Sequence, residues 1–147
     1  MIRVLPLIAI ILFGGLMAGC GGDQKTMVAV SGKVMSTAGK PCEGALVVFH
    51  PQDAGKVNNA KPFAKTDATG SFKLTTDTEG DGAEPGNYGV TIVWQSAAKD
   101  SKISLSSEGG NAGADVLKGK YANPGKPLIN AEVKAGQPNT FEWTVEP

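Results

Sequence analysis

His50 is the only histidine of the chain, so any nucleophile–base constellation built on imidazole must use it. A serine triad would need His50 beside a Ser and an Asp, yet the chain has no G-x-S-x-G elbow. It has no H-E-x-x-H either, and one histidine with one spare cysteine falls short of a usual zinc ligand set. His50 is therefore expected to close an apolar strand before Pro51, and the chain to be noncatalytic. Asp77, Glu79 and Asp81 alternate ahead of Gly82, as at the start of a calcium loop. An EF-hand is excluded, because the twelfth position from Asp77 is Tyr88, where a bidentate Glu is required. Two readings of these carboxylates stand: a solvated acidic loop, or a weak calcium site completed by another loop.

The aromatics with polar handles are Tyr88, Trp94, Tyr121 and Trp143. Trp94 and Trp143 fall on apolar strand faces, so they are expected to pack in the core. Tyr121 lies in the stretch Lys118-Gly119-Lys120-Tyr121-Ala122-Asn123-Pro124. It either folds back over a sheet edge or, with Lys118 and Lys120, forms a contact patch for a ligand or partner.

The elements that must position these residues follow from composition and pattern. The 147 residues carry 14 basic and 14 acidic side chains, a formal net charge of zero, with 20 Gly and 9 Pro. That length suits one domain with a real core. So many turn-formers predict short strands joined by turns. With no basic surplus to neutralise phosphates, nucleic acid is not an expected partner.

Residues 1–19 carry one charge, Arg3, followed by an apolar run from Val4 to Phe13 and small residues at Ala18 and Gly19. This is the pattern of a secretory signal peptide. Leu16-Met17-Ala18-Gly19-Cys20 resembles a bacterial lipobox, with Met17 replacing the usual Leu. The resemblance implies cleavage before Cys20 and lipid on its thiol and new amino terminus, and two or more acyl chains anchor a protein stably. Gly21 follows where an Asp would favour inner-membrane retention, so the outer membrane is favoured. No cofactor is expected beyond this covalent lipid, with calcium at 77–81 the exception weighed above. With Cys20 acylated, Cys42 has no intrachain disulfide partner. It is expected to be a buried, inert thiol, with a reactive or intermolecular thiol as the alternative.

Residues 20–27 then form a short tether and 28–147 the domain. Val28, Val30 and Val34 share one strand face. Ala45–Phe49 is a continuous apolar run, expected to be a buried central strand. Residues 63–76 read as a hairpin around Asp67-Ala68-Thr69-Gly70. Tyr88, Val90, Ile92 and Trp94 alternate with Gly89, Thr91 and Val93, the clearest amphipathic strand. Residues 95–127 read as a long loop, with a helical turn possible only at Ala114–Lys118. Two last strands hold Ile129, Ala131 and Val133, then Phe141, Trp143 and Val145. Seven strands, each apolar on one face, predict an all-β, seven-stranded Greek-key β-sandwich.

V-S-G-K-V at 30–34, G-K-P at 39–41, E-G-A at 43–45, T-D-A-T-G-S-F at 66–72 and P-G-N-Y-G-V at 85–90 resemble, in order and spacing, the carboxypeptidase regulatory-like domain. That resemblance implies a prealbumin-like (transthyretin-like) sandwich and a noncatalytic accessory role. The whole chain is similar to small bacterial lipoproteins built on this module. The expected function is a lipid-anchored envelope module that interacts or scaffolds, with the membrane as one partner and an envelope protein or glycan as another. The alternative is a carbohydrate-binding module, calcium-assisted or not, using Tyr121 or the 77–84 loop.

Overall fold

Period-two apolarity organises the chain into strands whose inner side chains meet across two sheets. The structure is a computed structural model and describes residues 25–96 and 113–147. The signal peptide and Cys20 lie outside the described residues. Seven strands are present: β1 (Val30–Ser36), β2 (Leu46–Pro51), β3 (Phe63–Lys65), β4 (Ser71–Lys73), β5 (Gly86–Val93), β6 (Ile129–Val133) and β7 (Asn139–Val145). One sheet has the order β4-β1-β7 and the other β3-β2-β5-β6. The fold is an all-β, seven-stranded sandwich. Its chain passes between sheets after β1, β3, β4 and β6. β1 and β7 pair in parallel, from Val30 opposite Asn139 to Ser36 opposite Val145.

The core lies between the sheets. Val34, Val47, Phe49, Leu74, Val90, Ile92 and Val145 are fully buried. Five aromatic rings run through it. Phe72 stacks on Trp143 at 5.7 Å and Trp143 on Phe141 at 5.5 Å, while Phe49 tilts against Tyr88 and against both Phe141 and Trp143. Room for the stack comes from Gly32 on β1. A Cβ there would stand 2.5 Å from the Phe72 ring and 2.4 Å from the Phe141 carbonyl oxygen. Gly32 thus keeps the inward row of β1 while leaving space for the ring.

Three local expectations are corrected. Residues 63–76 turn back as expected but splay into a corner, not a continuous hairpin ladder: β3 pairs with β2 and β4 with β1, and the arms meet at the Phe63–Thr75 bridge and at the turn, where the Asp67 N–H donates to the Ser71 carbonyl at 2.8 Å. The turn is right but its arms diverge, because each arm completes a different sheet. β2 is central in pairing but buried on one face only: Val47, Phe49 and Pro51 are buried and Leu46 is 43% exposed. β5 is instead the strand buried on both faces, since Gly89 lies under Pro127 and Gln52 and Thr91 under His50. Residues 114–121 hold no helix. They make a bridge between Asp115 and Gln95 and then successive turns, with Lys118 at φ 53° and Gly119 at φ 76°.

The strand directions define two poles. The chain enters at Val28, whose backbone pairs with Ala83. This entry pole carries the loops after β2, after β4 and between β6 and β7. The far pole carries the 37–44 and 66–70 turns, the 113–122 segment and the C-terminal Glu146.

Candidate functional site

The 113–122 segment holds the predicted contact residues Lys118, Lys120 and Tyr121. Asp115 builds it. Its carboxylate accepts backbone N–H bonds from Trp94 (3.1 Å), Leu117 (3.0 Å) and Gly119 (2.7 Å). Leu117, 1% exposed, plugs the segment into the core. The Ile92 N–H donates to the Tyr121 carbonyl at 3.0 Å, so this strap continues the sheet beside the upper half of β5. The Tyr121 ring packs against the core, and its hydroxyl accepts the Glu146 N–H at 3.2 Å. The Lys120 ammonium binds the Glu146 carboxylate and lies 5.7 Å from the Tyr121 ring centre. The hydrogen bond to Glu146 raises the Lys120 pKa and lowers that of Glu146. Lys120 and Tyr121 are therefore brought together, but on each other and on the chain end. Lys118 is exposed beside them.

The acidic loop lies at the opposite, entry pole. Asp81 turns its carboxylate onto its own loop and accepts N–H bonds from Thr76 (2.7 Å), Thr78 (2.9 Å) and Asp77 (3.0 Å). Partial burial pushes its pKa up, but the three N–H donors outweigh that and leave the carboxyl below its usual range. Asp77 pairs instead with Lys25 at 3.7 Å, and Glu79 is exposed. Among the described residues, no three His, Cys, Asp or Glu side chains converge as a metal site.

His50 projects from the outer face of β2. Its Nε2 lies 2.9 Å from the Thr91 hydroxyl. Burial first, and the Lys61 charge second, hold its pKa below 6.5. Cys42 is fully buried, and burial raises its thiol pKa, so little thiolate forms. The Trp94 indole donates to the Glu43 carbonyl at 3.0 Å. Tyr88 donates to the Glu84 carbonyl at 2.8 Å. Burial, then Glu84 and Asp53, push its phenol up to about 12. Among the described residues, every buried side-chain polar atom has a partner.

One concavity among the described residues was not singled out by the sequence. It is a groove of about 480 Å³ on the outer face of the β4-β1-β7 sheet. Register builds its floor as two rows: Lys73, Ser31 and Thr140 side by side, then Ser71, Lys33 and Glu142. Lys65 and Asp67 close it at the β3–β4 corner. The available signal was the polar half of three alternating strands, but only the topology sets those halves next to one another.

No family model matches the chain, and no curated protein sequence does. Among solved structures, the chain is similar to a candidate carbohydrate-binding protein from Pseudomonas aeruginosa. The identity is 13%, the match covers 84% of this chain and 92% of that one, and the TM-score is 0.44. It is also similar to a 9R-lipoxygenase from Cyanothece, at 12% identity over 83% of this chain but 16% of that one, with a TM-score of 0.37. At these TM-scores neither likeness carries a functional argument.

Proposed function

We propose that the chain is a lipid-anchored, noncatalytic β-sandwich of the bacterial cell envelope, on the carboxypeptidase regulatory-like plan, serving as an interaction or structural module. Cys20 carries this reading. It ends an apolar run and precedes by eight positions the first β pairing, at Val28. Such a link reaches at most roughly 28 Å. A lipid on Cys20 would hold the entry pole and its 77–84 loop toward the membrane, and the far pole with Lys118 away from it. His50 bonded to Thr91 and Cys42 sealed in the core fit a domain that contacts rather than transforms. Fractionation tests the reading. The wild-type chain is expected in the outer-membrane fraction, and Cys20→Ala, left uncut with its apolar leader, is expected to leave that fraction. Equal partitioning of the two, or turnover of an ester, peptide or glycoside substrate, would overturn it.

A second reading, carbohydrate binding, is favoured by the outer groove. Its floor offers the Ser31 and Thr140 hydroxyls on a rigid sheet, and the Ser71 oxygen as an acceptor beyond its bond to the Thr69 hydroxyl (2.9 Å), whereas Tyr121 is engaged with Glu146 and the Asp81 carboxylate with its own loop.

A further inference from the structure

We propose that the outer groove of the β4-β1-β7 sheet binds an acidic polysaccharide, with carboxylates on Lys33, Lys65 and Lys73 and ring hydroxyls on Ser31, Ser71 and Thr140. This deepens the carbohydrate-binding reading above and rests on it.

The cross-strand register makes the arrangement. Ser31 stands between Lys73 and Thr140, and Lys33 between Ser71 and Glu142. Neighbouring strands are about 4.8 Å apart and alternate residues about 6.8 Å, so cations and hydroxyls alternate at sugar-ring spacing across one face. Among the described residues, none of the three lysines has a carboxylate within 4.0 Å. Two carboxylates also line the groove. Asp67 spends one oxygen on the Thr69 N–H (2.8 Å), the Thr69 hydroxyl (2.7 Å) and the Ser71 N–H (3.0 Å). Glu142 stands opposite Lys33, which offsets it. Three lysines against two carboxylates leave the groove one net positive charge, with Lys65 and Lys73 the cations not set opposite Glu142.

Charge must supply the affinity. Phe72, Phe141 and Trp143 belong to the inner face of this sheet, so the outer face offers no ring for a neutral sugar to stack on. A peptide strand has no edge to join at the centre of this face, because β4 and β7 occupy both edges of β1. Hydroxyls that both donate and accept match the ring hydroxyls of a glycan.

Polygalacturonate oligomers are the probe, titrated against the full chain in detergent at low salt. Binding is expected, weakening as salt rises, with no binding of a neutral glucan of equal length. Lys33→Gln/Lys65→Gln/Lys73→Gln should weaken it by about tenfold or more. The matching triple Arg variant should retain it, and Lys118→Gln/Lys120→Gln should not change it. All three lysines point outward, so an unchanged near-ultraviolet circular dichroism spectrum verifies the fold of each variant. No binding by the wild type, undiminished binding by the triple Gln variant, or equal binding of polyglutamate would overturn the proposal. Fractionation reads the anchor separately: a membrane-bound chain that ignores polygalacturonate sinks the groove alone, and a soluble chain that binds it sinks the anchor alone.

Discussion

Thr66 ties two turns together. Its hydroxyl donates to the Cys42 carbonyl and accepts the Ala45 N–H at 2.8 Å, and the side chain is buried. Thr66→Val keeps the shape but leaves the Ala45 N–H and the Cys42 carbonyl only their long 3.4 Å bond to each other, so it should cost about 1–3 kcal/mol in urea unfolding. Gly70 beside it is fixed by geometry: at φ 77°, a Cβ would stand 2.4 Å from the Val34 carbonyl oxygen. These two residues explain why the T-D-A-T-G-S-F stretch is legible as a fold signature: each position answers a local backbone demand. His50 gives a pH signature. Its folded pKa lies below 6.5, so as pH falls through that value the unfolded chain takes up a proton before the folded chain does. Stability should fall as pH drops through 6.5 toward the lower folded value, and thermal unfolding of His50→Gln should lack this component. The carboxyls of Asp53, Asp67 and Asp81, held low in the fold, act only near and below pH 3.8 and leave that window clear. The turn amides on Asp67 follow from its local sequence, whereas the partners of Asp53 and Asp81 were invisible in it, and it shows Asp81 only as one of three alternating carboxylates.

At the scale of elements, apolar patterning located all seven strands, β2 as a continuous run and most of the others by alternation, because each must bury at least one face. They were silent on partners. Nothing local in Phe63–Lys65 and Ser71–Lys73 distinguishes a hairpin from a corner, and that depends on which sheets have open edges. Nor does Phe141–Val145 reveal that it runs parallel to β1. The strap at 113–122 escaped for another reason. Its order rests on one carboxylate, Asp115, and one apolar anchor, Leu117, in a stretch whose composition reads as loop. Leu117 was the available signal, a large apolar side chain amid Gly, Ala and Lys. Leu117→Ala should cost about 2–5 kcal/mol, the range for truncating a buried leucine. Hydrogen exchange should show the Ile92 amide, which donates to the strap, losing protection. If Leu117→Ala changes neither stability nor exchange at Ile92, the strap is not held by its anchor.

The whole molecule has a polarity that neither sequence nor single residues display. The chain enters beside the acidic loop and ends beside Lys120 and Tyr121, at opposite poles, with the lysine groove on the flank between them. Residues brought together as one candidate patch, Lys120 and Tyr121, prove to close the C-terminus, while the groove gathers Lys33, Lys65 and Lys73 from three different strands. Chemistry spread over three strands has no motif, so it became visible only once the register was known. For an anchored protein, this polarity would set one pole against the membrane and leave flank and far pole free for partners.

The anchored arrangement turns on Cys20, and intact mass of the chain purified from membranes tests it most directly. The predicted mass is that of residues 20–147 plus a diacylglyceryl group and an N-acyl chain, with both additions absent and the chain uncut in Cys20→Ser. An unmodified wild-type chain recovered from the soluble fraction would contradict it.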